Sequence, residues 1–121
     1  MQIEAGLVGR ATLTVRPVDT AIALASGDVA VLATPRLLAL CEEATMASLT
    51  GRVASESTSV GVEVALEHLA AASIGTEITA TARVVAVDGH RITFSVEAED
   101  AEKVVARGTV VRAIVDRARF S

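Results

Sequence analysis

Val31-Leu32-Ala33-Thr34-Pro35-Arg36-Leu37-Leu38-Ala39-Leu40-Cys41-Glu42-Glu43-Ala44-Thr45-Met46-Ala47-Ser48-Leu49 is the stretch around which the rest of the chain is organised. Thr34 reads as an N-cap whose hydroxyl takes a free amide of the first turn, and Pro35 then sits where a missing N–H costs nothing. Gly51 closes the segment. Leu37, Leu40, Cys41, Ala44 and Ser48 recur at helical spacing and form one apolar face, widened on one side by Leu38, Thr45 and Leu49. A helix with so broad an apolar face must be covered. Most of the chain beyond Thr58 alternates in the manner of β-strands, so one helix wrapped by one sheet is the first expectation.

Outward from the helix, Ala11, Leu13 and Val15 alternate with Thr12, Thr14 and Arg16 until Pro17, which predicts a short edge strand. Residues 18–30 read as a loop or a single helical turn leading into the helix. After the polar connector Ser55-Glu56-Ser57-Thr58-Ser59, strict alternation sets Val60, Val62, Val64 and Leu66 on one strand face, with His68 continuing that apolar side and Gly61 on the other. Further strands are predicted over 77–87, 91–98 and 104–114, with a charged tail that frays beyond them. A three-residue loop at Asp88-Gly89-His90 pairs Ala86 with Ile92, Val84 with Phe94, Ala82 with Val96 and Ala80 with Ala98, so that apolar residues meet across the hairpin. Carried through a loop at 100–102, the same parity turns Val104, Ala106, Gly108, Val110, Arg112 and Ile114 inward and sets Gly108 against Phe94.

The chain of 121 residues is read as one α+β domain, large enough for a core but small enough to gain from dimerisation. Hydrophobic residues make up 51% of it, mostly Ala and Val, and no run approaches the length of a membrane span. The excess of apolar surface points to a subunit interface or an acyl pocket. Glu4, Gly9 and Arg10 interrupt any signal-peptide core, so a cytoplasmic location is expected. Cys41, the sole cysteine, reads as a small buried hydrophobe. A net charge of −4 with only two aromatic residues argues against nucleic acid as a partner.

Three polar residues depart from the pattern around them. His68 ends an apolar row, Glu42 borders the helix's apolar face, and Thr34 stands at the helix mouth, where free amides favour partial negative charge. Each has a plainer reading: a lone strand histidine is ordinarily structural, a helix glutamate beside another is ordinarily solvated, and Thr34 is explained as a cap. Arg112 is either an ion-pair partner for Glu42 or a residue leaving the sheet edge. The spacing offers no phosphate loop, no serine nucleophile elbow and no cluster of metal ligands, and by itself reaches only a helix-and-sheet domain with a possible acid/base pair.

The strand, helix and four-strand order resembles the hotdog fold, a central helix wrapped by a five-stranded antiparallel sheet, in which two subunits pair to form the active sites. Val31-Leu32-Ala33-Thr34 with Leu40-Cys41-Glu42-Glu43-Ala44 resembles the helix motif of the fluoroacetyl-CoA thioesterase-like family, and Gly61, His68 and Gly108-Thr109-x-x-Arg112 fall on family positions without gaps. The resemblance implies hydrolysis of an acyl-CoA thioester by a homodimer, with Thr34, Glu42 and His68 catalytic, Gly61 polarising the thioester carbonyl, Arg112 at the substrate or oxyanion, and no cofactor beyond the coenzyme A of the substrate. Asp28 stands where the fluoroacetyl-specialised member has a gating phenylalanine, and Glu43 where a tryptophan is expected. A different, short or medium acyl group follows. A hotdog dehydratase is disfavoured because no His-x4-Pro run occurs. The rivals are a non-catalytic acyl-CoA or small-ligand binding hotdog protein and a structural subunit of a larger assembly.

Overall fold

The apolar stretch forms helix α1, Thr34–Leu49, in a computed structural model that describes residues 2–120. Leu37, Leu40, Cys41, Ala44, Thr45, Ser48 and Leu49 are buried along it, which is the predicted face with Leu38 left at its margin. The strands are β1 (Val8–Thr14), β2 (Ser57–His68), β3 (Glu77–Asp88), β4 (Arg91–Glu99) and β5 (Val104–Asp116). They make one antiparallel sheet in the order β1-β3-β4-β5-β2, so β1 and β2 are its margins. Short 3-10 turns lie at Pro17–Asp19 and Arg117–Phe120. The sheet's concave face supplies Ile78, Ala80, Ala82, Val84, Ile92, Phe94, Val96, Ala98 and Val110 to the core shared with α1. Among the described residues no helix is long and apolar enough to cross a membrane.

Several local expectations change. β1 begins at Val8, earlier than the alternation suggested, and its ladder ends at Thr14 opposite Glu77. Gly9 explains the early start: a Cβ there would collide with the Ala44 carbonyl and the Ser48 amide, so only glycine lets the strand cross the helix at this distance. The β3–β4 hairpin turns on two residues, since Asp88 pairs with Arg91 and Val87 with Ile92. A bulge at Val85 then restores the expected register, with Val84 opposite Phe94, Ala82 opposite Val96 and Ala80 opposite Ala98. The next turn takes in Lys103 and a second irregularity follows it, so Ala98 meets Ala106 and Gly108 lies across from Val96; Phe94 meets Val110. The shift is two residues, which preserves which side faces in. The charged tail does not fray over its described length: the Arg117 amide donates to the Glu56 carbonyl at 2.9 Å.

The deviation that matters most for function is in β2. Gly61 pairs with Arg112 and Glu63 with Val111, leaving Val62 as an extra residue. This bulge reverses the alternation, so Gly61, Val64, Leu66 and His68 share the inner face with Arg112, Val110, Gly108 and Ala106 opposite them. Val60 and Val62, expected inward, are displaced from that row, and Val62 is 47% exposed.

Candidate active site on the helix–strand seam

Ala33, with extended backbone angles, is the N-cap of α1; Thr34 is already helical and makes no capping bond. The first helical hydrogen bond runs from the Leu37 amide to the Ala33 carbonyl at 3.0 Å. The expectation that Thr34 caps the helix is therefore corrected. Pro35 still occupies the first turn at no hydrogen-bonding cost. Freed from capping, the Thr34 hydroxyl lies 2.8 Å from His68 Nδ1. The approach to the helix is held on both sides: the Leu32 amide donates to the Ala72 carbonyl at 2.8 Å and the Ala33 amide to the Asp19 carbonyl at 2.9 Å.

His68 reaches Thr34 because β2 ends there with its last side chain turned inward, opposite Ala106. Its second ring nitrogen, Nε2, is buried and has no hydrogen-bond partner. If Thr34 donates to Nδ1, a buried Nε2–H is left over; if Nδ1–H donates to Thr34, a buried lone pair is left over. Either way the Thr34 contact uses one ring nitrogen and leaves the other to a partner outside this chain's own side chains. Val31, Leu69, Ala70 and Ala71 surround His68 in an open groove of about 280 Å³.

Glu42 lies two helical turns further on. Its carboxylate, one third exposed, makes an ion pair with Arg112 Nη1 at 3.5 Å. Arg112 is 4% exposed, and its other guanidinium nitrogens go to Ser59: Nε donates to the hydroxyl at 2.8 Å and Nη2 to the carbonyl at 3.0 Å. Burial lowers the pKa of the guanidinium and the charge of Glu42 opposes the shift; an arginine remains cationic. Gly61 completes this group, because a Cβ at that position would overlap Glu42 Oε2. The carboxylate thus rests against bare backbone. Glu43 points away, as expected, and pairs with Arg36 at 3.1 Å. Cys41 is fully buried, and burial followed by the neighbouring Glu42 charge pushes its thiol up to about 11, so it stays protonated and inert at neutral pH.

The five candidate residues are thus gathered into two groups, Thr34 with His68, and Glu42 with Gly61 and Arg112. Glu42 stands eight positions after Thr34 on the helix, about 12 Å of axial rise. Among the described residues Glu42 pairs with Arg112 and not with His68. Ser59 was not singled out from the sequence, where it belongs to a polar connector; a serine two positions before Gly61 was its only signal. A cavity of about 510 Å³ lies elsewhere, lined by Thr76, Glu77, Glu99, Asp100, Glu102 and Lys103 among others, and holds none of the five candidate residues.

With this geometry in view, the relatives are informative. The model of the fluoroacetyl-CoA-specific thioesterase family matches residues 15–118. The chain belongs to that family. It is 29% identical over 91 residues to the fluoroacetyl-CoA thioesterase of Streptantibioticus cattleyicolor, a match covering 75% of this chain and 66% of that relative's length. A solved structure of a fluoroacetyl-CoA-specific thioesterase carrying a phenylalanine-to-alanine substitution, in complex with fluoroacetate and CoA, superposes with a TM-score of 0.90 at 25% identity, over 98% of this chain and all of that one. A thioesterase superfamily member from Thermus thermophilus shares the fold at a TM-score of 0.89 and 22% identity, covering 98% and 89% of the two chains. The helix curled into a five-stranded antiparallel sheet is the hotdog fold of these relatives.

Proposed function

We propose that this protein hydrolyses the thioester of a short or medium acyl-CoA, releasing a carboxylate and the free thiol of coenzyme A with consumption of one water. The observation that carries this reading is the 2.8 Å contact between Thr34 and His68, with Nε2 of the same ring buried and unpartnered. A threonine hydroxyl within hydrogen-bond distance of an imidazole nitrogen is an arrangement through which a proton can pass to or from the nucleophile. In the proposed site Thr34 and His68 handle the proton of the nucleophile, Glu42 attacks or orients water, and the Gly61 amide polarises the carbonyl. Arg112 acts through Glu42, toward which its Nη1 points, and no metal or further cofactor takes part. Val31, Leu69, Ala70 and Ala71 offer an aliphatic acyl chain a surface without aromatic or charged groups, and Asp28 replaces the gating phenylalanine, so fluoroacetyl is not the preferred acyl group.

The two groups of residues are completed by a second copy in a cytoplasmic homodimer. β2 is a margin of the sheet, and Val62, Val64 and Leu69 are 47%, 38% and 46% exposed on or beside it, a liability for a chain on its own. Antiparallel pairing of two β2 strands centred on Ala65, with the Val62 bulge absorbing one residue, sets Leu66 opposite Val64 and His68 opposite Gly61 of the second copy. The side chains of Val64, Leu66 and His68 then keep their inward face. Oxidation of Ala65→Cys cross-links the two copies if this register holds, whereas a strictly monomeric protein at micromolar concentration refutes it.

Thiol release from a panel of acyl-CoA thioesters tests the activity. Turnover of at least one, abolished by His68→Ala in a folded protein, supports it. Binding of CoA esters without turnover of any refutes it and establishes the non-catalytic binding protein instead.

A further inference from the structure

We infer that Ser59 is a positioning residue for Glu42, acting through Arg112; the inference rests on the thioesterase reading above. Ser59 stands two residues before Gly61 on β2, on the same inward face and ahead of the bulge, and its ladder partner is Ile114. From there it grips one side of the Arg112 guanidinium twice, accepting Nε–H at its hydroxyl and Nη2–H at its carbonyl. A planar guanidinium fixed at two nitrogens has its third direction decided, and here Nη1 points at Glu42 Oε2. Glu42 needs such support. One third of its side chain is exposed, and on the strand side it lies against the backbone of Gly61 and the guanidinium of Arg112. Without the serine hydroxyl, Arg112 Nε–H loses its partner in a site that is almost closed to water, the guanidinium rotates to recover one, and the carboxylate follows its ion pair away from Gly61.

Neither group of the serine touches the reacting atoms, so its loss acts on the rate of the chemical step and not on retention of substrate. Ser59→Ala is expected to lower kcat by about tenfold or more with KM within about twofold, since small displacements of a catalytic group cost this much. Ser59→Thr, which keeps the hydroxyl and suits a strand, restores the rate. Ser59→Cys retains the size of serine with a weaker acceptor and falls between, and it serves as the measurement should Ser59→Ala fail to fold. The decisive comparison is made in a Glu42→Gln background carrying residual activity: a residue acting through the Glu42 charge loses its effect there, so Ser59→Ala changes the residual rate by less than about twofold. Should residual activity be too low to follow, the dissociation constant of a carbonyl-reduced CoA thioether, measured by calorimetry, replaces it, expected to be the same with and without Ser59→Ala. Wild-type kcat in folded Ser59→Ala, or an undiminished loss in the Glu42→Gln background, overturns the inference while leaving the thioesterase reading intact. A wild-type protein inert toward every acyl-CoA overturns both.

Discussion

Gly61→Ala separates the fold from the chemistry more cleanly than any other single change. The added methyl would overlap the Glu42 Oε2 atom and lie 3.6 Å from Glu42 Cδ and 3.8 Å from Arg112 Nη1. Regaining ordinary van der Waals separation requires the carboxylate oxygen to retreat by about 1 Å. The retreat is easy, because what gives way is the end of a flexible side chain with 33% of its surface in solvent. Stability therefore changes little: removing a glycine from a strand gains about 0.5–1 kcal/mol, and loosening a partly exposed ion pair costs about the same. The melting midpoint is expected within about 4 °C of the parent. Catalysis responds differently, since a 1 Å misplacement of a reacting group costs about 100-fold, equivalent to about 2.7 kcal/mol of transition-state stabilisation. Thiol release at saturating acyl-CoA measures the rate, and far-UV circular dichroism follows unfolding in a chain with no Trp or Tyr. A folded Gly61→Ala protein with the parental kcat refutes the claim that Glu42 must lie against this backbone.

The other expectations are narrower. Thr34→Ala removes no helix cap; the loss of its bond to His68 and the better helix propensity of alanine nearly cancel, leaving unfolding free energy within about 0.5 kcal/mol while activity falls about 100-fold or more, and Thr34→Ser retains most of it. A melting loss without an activity loss would return Thr34 to a purely structural role. Asp19 is almost fully buried; burial pushes its carboxyl up, but hydrogen bonds from the Arg16 amide and side chain and the charges of Arg16 and Arg36 outweigh this and hold it below the ordinary range. Its contribution is complete above the unfolded carboxyl value near about 4 and is lost as pH falls through the lower native value. Asp19→Asn should therefore cost about 2 kcal/mol in urea at pH 7 and less at pH 3, and an equal cost at both would exclude this linkage. Cys41 should resist a thiol reagent such as dithionitrobenzoate in the native protein and react only on unfolding; rapid native labelling contradicts its burial.

What could be read from the sequence was whatever depends on periodicity. The face of α1, the inward rows of β3 and β4, and the inward face of Ala106, Val110 and Arg112 follow from spacings that burial enforces residue by residue. What escaped is where the count is broken. The Val85 bulge compensates for a two-residue turn, and the longer β4–β5 connection is absorbed by a second irregularity; in each case an error in loop length was offset, so that faces were predicted correctly for a register that was partly wrong. Thr34 was misread for a different reason. Threonine before proline satisfies the composition of a cap, and only the position of Ala33 shows that the helix had already begun.

The bulge at Val62 is the one place where breaking the count changed the function that could be read. Under strict alternation Gly61 faces away from His68 and cannot belong to the same site. With one residue inserted between them, both face the helix, Arg112 comes opposite Gly61, and Glu42 is drawn onto the glycine. In the proposed homodimer the same inserted residue lets two β2 edges meet with their inner faces matched, because pairing centred on Ala65 sets His68 opposite Gly61 only if the bulge takes up Val62. Deleting Val62 removes the bulge and leaves Gly61 and His68 six positions apart, an even count that keeps both on the inner face of an unbroken ladder. Folded protein that lacks Val62 is therefore expected to keep both thiol release and the Ala65→Cys cross-link. Loss of both together would refute this account of the inner face.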